Sequence, residues 1–150
     1  MDIYTVATKD ISMILLIVAG AGALKQIFTD YGVSLALAEG IQSWDMHPLI
    51  LAWLITAVIR VAVGSATVAG LTTAGIIAPL VPTLNVDPNL LVLSIGAGSL
   101  VFSHFNDGGF WMYKEYFNLS IKDTLRSWTL METVVAVAGL GGVLLLDLIL

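Results

Sequence analysis

Arg60 is the residue with the clearest capacity for chemistry. It follows Pro48 by twelve positions and is flanked by Ala57-Val58-Ile59 and by Val61 to Gly64, so it lies deep in apolar sequence. An arginine carried into a bilayer costs about 2.5–3.5 kcal/mol on insertion scales, and such residues normally face a partner or a cavity. Its planar fork suits a carboxylate, either of a substrate or of the protein. The plainer alternative is an aliphatic stem that lets the charge reach a nearby membrane interface.

Two further segments hold clustered polar groups. Residues 64–75, GSATVAGLTTAG, combine Gly64 with the hydroxyl residues Ser65, Thr67, Thr72 and Thr73. A helix that breaks at Gly64 and restarts near Thr67 would present free N–H groups and a positive dipole end to an anion. The competing reading is close helix packing, which small residues allow in membranes. Residues 103–109, SHFNDGG, place Ser103, His104, Asn106 and Asp107 at the end of a short apolar run. His104 is a candidate proton carrier as a histidine, and Asp107 can hold a proton if burial favours its neutral form. Asp107-Gly108-Gly109 also reads as an ordinary turn or cap at the membrane interface. His47, Glu132 and Asp147 read as interfacial.

These segments must be positioned by elements suited to lipid. Hydrophobic residues make up 58% of 150 and charged residues 11%, with mean hydropathy +0.96. Soluble domains carry about 25% charged residues, so this chain lacks the polar residues to cover a water-facing surface. Four apolar stretches stand out: Ile11 to Leu24, Pro48 to about Val81, Leu90 to Phe102, and about Trp128 to Leu150. Only the last has ordinary spanning length, about 20 residues. The first and third are short, and the second is long and interrupted by glycine. Short or Gly-interrupted apolar segments mark discontinuous helices in secondary transporters, and irregular backbone at membrane depth persists only beside protein or a wet cavity. The apolar runs do not alternate with period two, which speaks against an outer-membrane barrel. The fold class expected is therefore an all-α integral membrane protein with discontinuous or re-entrant segments, residues 1–150 forming a single transmembrane region.

Lys114, Lys122 and Arg126 precede the last helix, whereas residues 29–47 contain acids and no Lys or Arg. The positive-inside rule places the first group in the cytoplasm and the second outside. Between them, either one full crossing with a re-entrant hairpin or three short crossings satisfies the parity. The N-terminal residues lack the basic start and cleavage site of a signal peptide. The aromatics Trp44, Trp53, Trp111, Tyr113, Tyr116 and Trp128 suit an interfacial belt.

A formal net charge of −5 offers no basic patch for nucleic acid. The absence of cysteine removes disulfides, thiolate metal sites and cysteine nucleophiles. No Walker, HExxH or GxSxG pattern occurs, and His104 with Asp107 supplies no nucleophile–base pair, so neither an enzyme nor a cofactor or metal site is expected.

Three stretches carry a family resemblance: IRVAVGSATVAGLTTAGIIAPL (59–80), SHFNDGGFWMYKEYFNLSIKDTLRSWTLMET (103–133) and GAGALKQIFTDYGV (20–33). Together they resemble the gluconate permease (GntP-type) family of proton-coupled sugar-acid symporters; the resemblance covers nearly the whole chain but only the C-terminal portion of such a permease. Typical members carry Ser after Asn-Asp, where this chain has Gly108. The resemblance implies uptake of gluconate or a related small sugar acid with H⁺ across the bacterial cytoplasmic (inner) membrane, by a multi-pass, inverted-repeat transporter. It implies substrate contacts from Arg60, Gly64, Ser65, Thr67, Thr72, Thr73, Ser103 and Asn106, and proton coupling by His104 and Asp107. Gly20, Gly22 and Lys25 would line the same cavity. The implied partners are the sugar acid, H⁺, membrane lipid and the remaining N-terminal half or a second subunit; a homo-oligomer is compatible with this. A truncated or non-transporting membrane scaffold is the alternative, since a site formed between two halves would be incomplete here.

Overall fold

The computed structural model describes residues 46–150 together with Tyr4, Thr5, Thr8, Ser12, Ala19, Ala23, Ile27, Asp30 and Tyr31. The first apolar stretch, with Gly20, Gly22 and Lys25, lies outside the described residues apart from Ser12, Ala19 and Ala23.

All elements among the described residues are helical. α1 spans Pro48–Val63 and α2 spans Ala66–Ile77, the latter prolonged by a 3-10 turn over Ala78–Thr83. α3 spans Pro88–Gly98, α4 Gly108–Tyr116 and α5 Ile121–Thr124. A π-helical stretch, Leu125–Thr129, joins α5 without interruption to α6, Leu130–Asp147.

The second apolar stretch is thus two helices, and local chemistry explains the break. Gly64 adopts φ +79° and its N–H bonds the Arg60 carbonyl at 2.8 Å, the left-handed ending that glycine favours. Ser65 then caps α2, its side chain accepting from the Val68 N–H at 3.3 Å. Pro82 sits in the 3-10 turn. Proline begins both α1 and α3, where a missing N–H costs nothing.

Contacts between helices fix their directions. Ser94 on α3 donates to the Leu49 carbonyl, and Gly98 abuts the Trp53 backbone and Thr56, so α1 and α3 run parallel. At Gly98 any Cβ would run into the Trp53 carbonyl, so glycine is required for the close approach. Ile77 packs with Leu90 and Leu91 at one end of α2 while Gly70 faces Ile95 and Ser99, making α2 antiparallel to α3. His47 meets Asp147 at 3.3 Å, the Trp53 Nε1–H donates to the Ala136 carbonyl at 3.1 Å, and Arg60 approaches Glu132. α6 therefore runs antiparallel to α1. Leu49, Ala52, Ile77, Leu90, Leu91, Ile95 and Val143 form the apolar core at the His47 end of this four-helix group. The polar cluster lies at the opposite end.

Two helices among the described residues are long and apolar enough to cross a membrane, Ala66–Thr83 with 18 residues and Ile121–Asp147 with 27. The last helix begins earlier than its apolar stretch, because Lys122, Asp123 and Arg126 extend it by a polar turn that is exposed. α1 and α3 are shorter; at 1.5 Å per residue the 11 residues of α3 reach only about half of a ~30 Å core. α6 leaves Leu130, Met131, Val134, Val135, Val137, Leu145 and Leu146 exposed, an apolar surface that water would disfavour.

Candidate functional site

The polar cluster is assembled where α1 ends, α2 begins, the 99–107 connection turns and α6 starts. At its centre is Arg60, only 2% exposed. Its Nη1 donates to the Gly64 carbonyl, so the charge that lies deep in α1 also fastens the break that follows it. Its Nη2 donates to Asp107 Oδ2 at 2.6 Å and lies 3.5 Å from Glu132 Oε2. Its Nε is buried without a hydrogen-bond partner among the described residues. Arg60 is thus buried within the fold and shared by two carboxylates of the protein.

Asp107 is held by donors on both oxygens. Oδ2 accepts from Arg60 and from the Ser103 hydroxyl, and Oδ1 accepts from the Gly109 N–H at 2.9 Å as the N-cap of α4. Ser103 is itself buried, accepting from Trp128 Nε1 at 2.8 Å while its carbonyl accepts from the Thr129 hydroxyl. The π-helical stretch carries both Trp128 and Thr129, so its local widening aims two donors at one serine.

Asn106 secures the other side. Its Nδ2 donates to the Val61 carbonyl at 3.0 Å and lies 3.5 Å from that of Ala62, carbonyls left open by the end of α1. A Cβ on Gly64 would run into the backbone carbonyl of Asn106, so the two broken segments touch at the glycine.

The structure therefore brings together Arg60, Gly64, Ser103, Asn106 and Asp107, with Ser65 adjacent at the start of α2. It does not gather all of the expected residues. Thr67 is exposed, and Thr72 and Thr73 lie about two turns along α2 from its start. Thr73 is fully buried and its hydroxyl has no partner among the described residues. His104 turns away: its Nδ1 lies 2.9 Å from the Phe102 carbonyl and its ring packs near Phe102 and Phe105.

Glu132 is the residue that sequence reasoning placed elsewhere. It reads as an interfacial acid near the start of an apolar helix, yet its side chain is only 14% exposed and faces Arg60. The helix starts eleven positions earlier than Glu132, at Ile121, so this residue lies within the helix rather than at its start. Asp147 pairs with exposed His47 at the far end of the helix group. No group of three or more His, Cys, Asp or Glu able to hold a metal occurs among the described residues.

A family model described as GntP family permease matches residues 1–149. The chain is 48% identical over 149 residues to a protein named high-affinity gluconate transporter from Escherichia coli (strain K12), covering 99% of this chain and 34% of that protein. It is 50% identical over 149 residues to a gluconate permease from Bacillus subtilis (strain 168), covering 99% of this chain and 33% of the relative. Identity is 45% over 150 residues to the Gnt-II system L-idonate transporter of Escherichia coli (strain K12), covering 100% and 34%. The chain thus spans about a third of the length of these curated relatives. No solved structure matches it.

Proposed function

The chain belongs to the GntP family of permeases, and on that premise we propose that it is the C-terminal part of a proton symporter for gluconate or a related small sugar acid. Permeases are not enzymes, and no catalytic group is assigned. The relatives' names, gluconate and L-idonate transporters, support a hydroxylated monocarboxylate as cargo and favour transport over a scaffold role.

The observation that carries the reading is the buried guanidinium of Arg60 at a helix break, with an Nε unpartnered among the described residues and two carboxylates competing for Nη2. A fork of this kind matches a carboxylate in plane and charge. The cargo carboxylate would engage Arg60 beside the start of α2, where free N–H groups and the helix dipole favour an anion. Hydroxyl and amide groups of Ser65, Thr67, Thr72, Thr73, Ser103 and Asn106 are the candidates for the sugar hydroxyls. Of the two proton candidates, Asp107 belongs to the Arg60 cluster whereas His104 faces away. Gly20, Gly22 and Lys25 are proposed to line the same cavity.

In this reading residues 1–150 form one transmembrane region of a multi-pass inner-membrane protein. α1, α2 and α3 alternate in direction, and α1–α2 is a helical hairpin closed at Gly64, which supports a discontinuous or re-entrant arrangement within an inverted-repeat architecture. The remaining part of the transporter completes the site, and lipid covers the apolar face of α6.

Uptake of labelled gluconate by a full-length permease carrying this segment tests the proposal. Arg60→Ala is expected to abolish uptake, and Arg60→Lys to leave a small residue of it, since an ammonium cannot form the planar fork. Parental uptake by Arg60→Ala would remove Arg60 from the site.

A further inference from the structure

We infer that Glu132 is the group that carries the coupled proton, and that Asp107 is the permanent counter-ion of Arg60. The inference rests on the transport reading above and names the residue that couples the proton to the anion.

The two carboxylates differ in how their charge is balanced. Asp107 receives the Arg60 Nη2 at 2.6 Å, the Ser103 hydroxyl and the Gly109 N–H at 2.9 Å. A carboxylate with several donors aimed at it keeps its charge. Among the described residues Glu132 has one hydrogen-bond partner, the same Nη2 at 3.5 Å, already engaged at shorter range by Asp107. It is nonetheless largely buried, at 14% side-chain exposure, on a helix apolar enough to span a membrane. A buried carboxylate without adequate donors is the one that neutralises.

Among the described residues, the remaining surroundings supply no other charge to the cluster. α2 and α3 contain no titratable residue. His104 lies against Phe102 and Phe105, Lys114 pairs with Glu115 at 2.8 Å, and Tyr113 stacks on Trp128 at 4.9 Å. Arg126 and Asp123 are exposed on the polar turn before α6.

Coupling follows from the charge count. With both carboxylates ionised, the cluster of Arg60, Asp107 and Glu132 is one charge negative, and an incoming sugar-acid carboxylate would meet two anions on one guanidinium. A proton on the Glu132 carboxylate makes the cluster neutral and withdraws Glu132 from Nη2. Together with the unpartnered Nε, that frees hydrogen-bonding capacity on the fork for the cargo carboxylate. Proton and anion therefore favour each other's binding, as linkage requires. On the inward side the cargo leaves, Glu132 loses its proton to water and its carboxylate returns to Arg60.

The test uses a full-length permease carrying this segment, reconstituted in liposomes, with labelled gluconate as the probe. Glu132→Gln imitates the protonated state and is expected to retain exchange of internal for external gluconate while losing proton-driven accumulation. Glu132→Asp is expected to keep accumulation with a displaced pH profile. Accumulation by Glu132→Gln with the parental proton uptake would overturn the inference and leave the transport reading standing. Loss of exchange along with accumulation, at the parental membrane level, would overturn it too. If Glu132→Gln does not reach the membrane, Glu132→Asp decides: a displaced pH profile supports the inference and a parental one defeats it. A parent protein that neither exchanges nor accumulates gluconate would instead defeat the transport reading itself.

Discussion

Arg60 Nη2 donates to Asp107 Oδ2 at 2.6 Å across 47 residues of sequence, joining the end of α1 to the start of α4. Arg60 is 2% exposed and Asp107 16% at the side chain, so neither charge is well solvated. Removing one partner of such a pair leaves an uncompensated charge, at a cost of about 3 kcal/mol, the lower part of the range for buried pairs because Asp107 retains some exposure. Asp107→Asn keeps the shape and an oxygen for the Gly109 N–H while removing the charge. A lower melting temperature of the detergent-solubilised full-length protein, accompanied by lost uptake, is the expected outcome. An unshifted melting curve would mean that the pair contributes nothing to stability.

Gly64 should tolerate no side chain. Its φ of +79° disfavours any L-residue, by about 1–2 kcal/mol, and a Cβ would also collide with the Asn106 carbonyl. Gly64→Ala is predicted to fold poorly, seen as aggregation in size-exclusion chromatography of the full-length protein. A monodisperse, active Gly64→Ala protein would contradict the geometry of the break.

Gly108 is the contrasting case. Nothing lies within 4 Å of a Cβ built there. Gly108→Ser is therefore expected to fold like the parent and to preserve uptake, even though the residue lies between the Asp107 cap and Gly109. A large loss of folded protein would show that the space is filled by a part of the transporter outside this chain.

Ser103 links Trp128 to Asp107, accepting from the indole at 2.8 Å and donating to the carboxylate. Ser103→Ala orphans the Trp128 N–H, and Trp128→Phe removes the donor instead. Each change is expected to cost about 1 kcal/mol in stability. The double variant should cost less than the sum, since both changes remove the same Trp128–Ser103 bond. Strict additivity in thermal or denaturant melts would show that the hydrogen bond is not formed.

Much of this arrangement was legible from residue order because its causes are local. A Gly-Ser pair after an apolar run ends one helix and caps the next within three residues, so the break at Gly64 needs no tertiary partner. Asp107 ahead of two glycines is likewise a cap in its own right. The isolation of Arg60 within apolar sequence demanded a partner, on the cost of burying a charge in lipid, without specifying which one. The family resemblance pointed to the same two segments.

What residue order alone decided is therefore the solvent, the helical class, the break and the need for compensation at Arg60. Tertiary structure decided who compensates. Glu132 reaches Arg60 across 72 residues because α6 runs antiparallel to α1, and its helix begins among charged residues that read as a loop. The same packing turned His104 outward and spread the hydroxyls of α2 along the helix. Hydrophobic periodicity reports which face of a helix avoids water; it carries no term for which distant helix meets that face. The polar residue opposite Arg60 therefore emerges only once the helices are packed.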